Sequence, residues 1–189
     1  MSIKSTYRFG GICGIVAVLA TLALYFATDP SGNRSLMTHV LSWIIGLGSI
    51  VLFYAAYLRC RDSASSFSLL ALIAGIGGNI LFLFGTLSPS FYGIGDVGES
   101  VVLMLATPLF GIAYFQTQGI SRALAVIGIL TGIAGLANYL VLKMDGGSWS
   151  APNNPANLPA IMGTYLAFVL GYVVWLGWTS GVLLKSSRE

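Results

Sequence analysis

The chain has 189 residues, 56% hydrophobic and only 8% charged, with a formal net charge of +3 and a mean hydropathy of +0.86. A soluble domain carries about 25% charged residues, so this composition excludes a soluble fold and specifies a polytopic membrane protein. At about 20 residues per crossing the length holds six or seven spans as one transmembrane domain over residues 1–189, and the nine Lys and Arg, scattered without a basic run, exclude a nucleic-acid partner.

Six apolar stretches predict an all-α bundle with transmembrane helices at roughly 9–27, 38–58, 67–87, 98–116, 121–142 and 158–184. Lys4 and Arg8 precede the first as they would a signal peptide. Its apolar run is too long for one, however, and no A-x-A cleavage site follows Tyr25, so a retained helix is expected. Cys13 in helix 1 and Cys60 after helix 2 have no metal spacing and form no disulfide framework. The sole histidine, His39 at the start of helix 2, excludes bis-histidine haem and multi-histidine metal centres. The triplet Asn33-Arg34-Ser35 before that helix is a formal glycosylation sequon.

Helix 3 carries Gly75, Gly77, Gly78 and Asn79, helix 4 the pair Thr107-Pro108, and helix 5 Gly132, Gly135 and Asn138. Pro108 has no N–H to donate, so it is expected to free the Met104 carbonyl and bend helix 4. Small residues and a bend together predict a cavity among helices 3, 4 and 5. The alternative for the asparagines is polar satisfaction, with Asn79 and Asn138 paired to each other or to backbone. Gly10-x-x-x-Gly14, Gly128-x-x-x-Gly132 and Gly177-x-x-x-Gly181 are helix-contact motifs.

Leu52-Phe-x-x-Ala-Tyr57 followed by Gly75-Ile-Gly-Gly78 is echoed 57 residues on by Leu109-Phe-x-x-Ala-Tyr114 followed by Gly132-Ile-Ala-Gly135. This pattern predicts three consecutive hairpins. With a cytoplasmic N-terminus, Lys4, Arg8, Arg59, Arg61, Arg122, Lys185 and Arg188 fall inside and only Arg34 and Lys143 outside, so both termini are expected in the cytoplasm. Trp43, Tyr92 and Trp149 then anchor the outer boundary, and Tyr7, Tyr57, Tyr114 and Trp178 the inner one.

No Asp, Glu, Lys or Arg falls near the centre of a predicted helix, which argues against a proton relay, a voltage sensor or an ion-coupled transporter. The candidate ligand pocket is therefore Asn79, Thr107, Pro108 and Asn138, suited to a neutral amphiphile such as a quinone, an isoprenoid or a lipid tail. A second constellation lies on the outer rim: His39, Asp96 and Glu99, with Asp29 and Asp145 in neighbouring loops and Trp149 in the loop Gly146–Pro155. One imidazole with carboxylates has the donor chemistry of a divalent-metal site or of a general base with acids; solvated helix caps account for the same residues. No catalytic signature, nucleotide fingerprint or lipidation motif is present, and no cofactor is implied.

The segment Leu109–Gly135, in which a helix ends at Gly119-Ile-Ser-Arg122 and a glycine-rich helix follows, resembles a pattern of small bacterial multi-helix membrane proteins of unknown function. The terminal Val174-Trp-Leu-Gly-Trp-Thr-Ser-Gly-Val-Leu-Leu-Lys185 is similar to their last helix, so the resemblance covers mainly residues 109–189. Such families usually place a proline where this chain has Ser121. The resemblance implies a bundle in the bacterial inner membrane and no activity. Three functions remain: an accessory or interaction subunit of a larger membrane complex, a binder or carrier of a small apolar or lipid-like molecule, and a membrane enzyme using the outer His/acid cluster. Membrane lipids surround the chain in each case.

Overall fold

The computed structural model describes residues 2–27, 35–146 and 153–188; Asp29, Arg34, the Asn33 sequon and Trp149 lie outside them. Among the described residues the fold is all α-helical, with six helices long and apolar enough to cross a membrane. These are α1 Ile3–Ala27, α2 Leu36–Cys60, α3 Ser65–Gly85, α4 Tyr92–Gln116, α5 Arg122–Asp145 and α6 Leu158–Ser186.

Capping residues set several boundaries that hydropathy alone misplaces. The Ser2 side chain accepts from the Ser5 N–H at 3.2 Å and starts α1 six residues before Phe9. Ser35 and Ser121 cap α2 and α5, accepting from the N–H of Thr38 and of Ala123. At its far end α5 runs on to Asp145, where Gly146 at φ +69° returns its N–H to the Leu142 carbonyl. The buried Asp145 carboxylate then accepts from the N–H groups of Asn153 and Asn154 and from the Asn157 amide, tying the chain entering α6 to the end of α5.

Helix α4 departs most from expectation. It begins at Tyr92 on a 3₁₀ turn, Pro89–Phe91, well before residue 98. Pro108 is accommodated by a π-helical turn, Val102–Ala106, in which both the N–H and the hydroxyl of Thr107 are directed at the Val102 carbonyl. A π turn adds one residue before the proline and shifts the helical register, so the span continues past it to Gln116.

Each helix packs on the next in the chain and α6 closes back on α1, giving a six-membered ring. The termini share one face: the Tyr7 hydroxyl reaches the Leu58 carbonyl, Gly11 abuts Ser180 and Leu184, and Arg59 donates to the Gln118 carbonyl at 2.9 Å, next to Gly119 at φ +77°. On the side of the ring nearer that face the centre is filled by Phe53 of α2, Phe110 and Tyr114 of α4 and Trp175 of α6. Phe53 and Phe110, equivalent positions in the 57-residue echo, stack with ring centroids 5.5 Å apart, and Tyr114 stacks on Trp175 at 5.9 Å. Tyr114 is thus a core residue bonded to Thr179, not an interfacial anchor, whereas Trp43 and Trp178 do face outward.

Candidate functional site

The four residues expected to outline a pocket are placed in packed helix contacts. Asn79 turns its amide onto the Gly75 carbonyl of its own helix at 2.7 Å, which is the backbone satisfaction weighed above. Asn138 donates across to α6, to the Ile161 carbonyl and to the Thr164 hydroxyl. The two amides are therefore bonded to different helices. Pro108 seats on Gly132, where an added Cβ would lie 2.5 Å from its Cγ, and Met104 fills the space over Gly135. Gly75 receives the Phe53 ring, and Gly78 the backbone of Gly98 with Val102. Glycines that read in sequence as missing volume are used here for close approach between helices. The room expected among α3, α4 and α5 is thus taken up at each of these positions.

Of the outer-rim candidates, Asp96 is exposed on α4 and His39 half-buried near the start of α2. Among the described residues no group of three His, Cys, Asp or Glu is placed to hold a metal ion.

Glu99 stands apart. With α4 starting at Tyr92, it lies seven residues, about 10 Å, from the start of that helix. Its direction follows from its neighbours. Gly95, Gly98 and Val102 lie against α3; Met104, Pro108 and Gly111 lie against α5. Val97 and Leu105, 54% and 49% exposed, mark the lipid side. Glu99 occupies the fourth side, in line with Leu103, Thr107 and Phe110, which point into the ring and are 5%, 0% and 0% exposed. Glu99 itself is exposed. One turn further along this line, Leu103 is already closed off from solvent.

Two hydroxyls are buried across the ring. Tyr172, one turn above Trp175 on α6, lies beside the Ser49 hydroxyl of α2 and within electrostatic reach of the Glu99 carboxylate. Ser49 is fully buried, and its Oγ has no hydrogen bond of good geometry. Phe168, a further turn up α6, adds an apolar wall. The arrangement is a buried pair of hydroxyls with aromatic sides and one exposed carboxylate near it. The place of Glu99 within a helix was missed in sequence because residues Gly93–Glu99 have the composition of a loop.

No protein-family model, no curated protein and no solved structure matches the chain.

Proposed function

We propose that the chain is an accessory or assembly subunit that docks through the exposed face of α6 onto an apolar helix of another membrane protein, with both of its own termini in the cytoplasm of a bacterial cell. The observation that carries this reading is how the helix-borne glycines are used. Gly10, Gly11, Gly14, Gly46, Gly48, Gly111, Gly128 and Gly132 each abut a neighbouring helix so closely that a Cβ would collide. Gly77 of α3 and Gly93 of α4 each meet nothing within 4 Å, but α6 gathers several such positions on one helix: Gly163 and Gly181 meet nothing within 4 Å, and Gly177 meets only Val18 at 3.9 Å.

Spacings of four, three, four, three and four residues place Gly163, Ala167, Leu170, Val174, Gly177 and Gly181 on one stripe of α6. Leu170 and Val174 on that stripe are exposed. Beside it an apolar groove of 430 Å³ runs between α5 and α6, lined by Leu130, Thr131, Ala134, Ala167 and Gly171. Small residues that serve no contact within the chain suit a helix from outside it. The second reading, a binder of a lipid-like molecule, takes the same groove as the seat of an acyl chain.

Gly163→Leu with Gly181→Leu tests the docking reading, because open space at both sites leaves folding untouched. The double variant is expected to keep the wild-type melting temperature and to lose, by at least tenfold, a partner that co-purifies with wild type in mild detergent. Native mass spectrometry showing bound lipid and no protein partner would favour the second reading instead.

The orientation rests on the seven cations at the end of the bundle that carries the termini, against Lys143 near the end of α5 on the other side. In a background lacking Cys13 and Cys60, Arg61→Cys and Arg122→Cys are expected to resist a membrane-impermeant maleimide in intact cells. Labelling of either would reverse the assignment.

A further inference from the structure

We infer that the seam between α1 and α6, at the face of the termini, is a binding site for an anionic phospholipid, its phosphate held between Lys4 and Arg8 of α1 and Lys185 and Arg188 of α6. This is separate from both readings above. The cations lie beyond the end of the glycine stripe, and the groove between α5 and α6 is on the other flank of α6.

The register of the two helices brings the four cations together. α1 and α6 run antiparallel, with Val18 against Gly177 and Gly11 against Ser180 and Leu184. Continued toward the termini, that register sets Arg8 level with Lys185 and Lys4 level with Arg188. The faces agree as well. Lys4 and Arg8 precede Gly11 by seven and three residues, which puts them on the side of α1 that meets α6. Gly177, Gly181, Lys185 and Arg188 follow one another at spacings of four, four and three along one side of α6. All four cations are exposed.

Each helix thus carries a like-charge pair one turn apart, and the two pairs stand side by side at one seam. Like charges at this spacing destabilise a helix, and Lys4, in the first turn of α1, also opposes the helix dipole. No acid answers them among the described residues, where the one ion pair is Arg61 with Asp62 at the end of α2. The orientation of the chain requires cations at this end of the bundle, not on adjoining sides of one seam. A phosphate set between the two helices converts the repulsion into charge-assisted hydrogen bonds.

The surroundings select a lipid as the source of that phosphate. Arg8 continues along α1 into Ile12, Ile15 and Leu19, at spacings of four, three and four, and all three are exposed to the membrane. An acyl chain lies against that stripe while its head group meets the cations. Trp178, exposed on α6, marks the interfacial level beside them. Basic residues between helices at this level attract anionic head groups, whereas a zwitterionic head group brings no net charge.

The test titrates phosphatidylglycerol and phosphatidylcholine with the same acyl chains into the delipidated full chain in mild detergent, and native mass spectrometry counts the one-to-one complex. Wild type is expected to bind phosphatidylglycerol at least about tenfold more tightly than phosphatidylcholine, and inorganic phosphate in large excess is expected not to displace it. Arg8→Gln with Lys185→Gln is expected to weaken phosphatidylglycerol by about tenfold or more and leave phosphatidylcholine unchanged. Arg61→Gln with Arg122→Gln removes the same charge from the same end of the bundle but away from the seam, and is expected to keep the preference. Equal binding of the two lipids by wild type, displacement by inorganic phosphate, or an equal loss in both double variants would each overturn the proposal. The wild-type comparison stands even if a variant fails to fold. It is made on the chain without a partner, so failure of the docking function does not mimic failure of this site.

Discussion

Gly98→Ala is expected to destabilise the bundle by more than about 3 kcal/mol, an outsize effect for a single methyl group. The site explains the size. A Cβ at Gly98 would run into the Phe82 nitrogen and the Gly78 carbonyl oxygen, with the Leu81 carbonyl carbon at 2.8 Å. All three are backbone atoms of α3, so no side chain can rotate away, and relief requires the whole first half of α4 to move off α3. Gly85 and Gly95 meet backbone to backbone one turn nearer the end of α3, so such a movement breaks that contact too. Gly93→Ala, a few residues away on the same helix, is the control. Nothing lies within 4 Å of it, and it is expected to be neutral or to stabilise by about 0.5–1 kcal/mol through helix propensity. Unfolding in mixed micelles by increasing SDS fraction, followed by circular dichroism, measures both. Equal midpoints for the two variants would mean that the α3–α4 contact is looser than described.

This same stretch separates what could be read from the sequence from what could not. Hydropathy located all six spans, because in lipid a backbone must satisfy itself and only long apolar helices do so. It failed at Tyr92–Gly98, where Gly93, Gly95, Asp96 and Gly98 resemble a loop. Their helical role depends on a partner, the glycine-bearing face of α3, and sequence periodicity within one segment does not reveal a partner. The error moved the predicted start of helix 4 by six residues and left Glu99 at the rim, when it lies two turns into the helix. Pro108 was read correctly as a disturbance, but its consequence depended on register. The π turn, with Thr107 directed at Val102, takes up the strain before the proline, and Gly132 receives its ring. Glycine counts were similarly ambiguous. The same residue type makes space or removes it, according to how near the neighbouring helix comes.

The second large effect is expected at Trp175, whose side chain is fully buried against Phe53, Phe110 and Tyr114. In a membrane the unfolded helix keeps its tryptophan in lipid, so most of the transfer term in an aromatic-to-alanine change disappears and the unfilled cavity remains. Trp175→Ala is therefore expected to cost about 3 kcal/mol, at the lower end for such replacements. Trp178→Ala, on the lipid side of the same helix and 40% exposed, is expected to cost less than about 0.5 kcal/mol. The indole adds a second, separable effect. Its Nε1–H has no hydrogen-bond partner and lies over Gly128, where an added Cβ would sit 2.7 Å from it. Trp175→Phe removes that unsatisfied donor while it loses volume, and the two oppose each other, so its cost should fall below about half that of the alanine variant. Gly128→Ala alone should push the indole off its seat and disturb the stack. Placed in the Trp175→Phe background, the same methyl enters space the smaller ring has vacated, so the pair should be less harmful than the sum of its parts by about 1 kcal/mol or more. Strict additivity of Gly128→Ala and Trp175→Phe would show that Trp175 is not held against α5, and that the ring of helices is closed by something other than its aromatic centre.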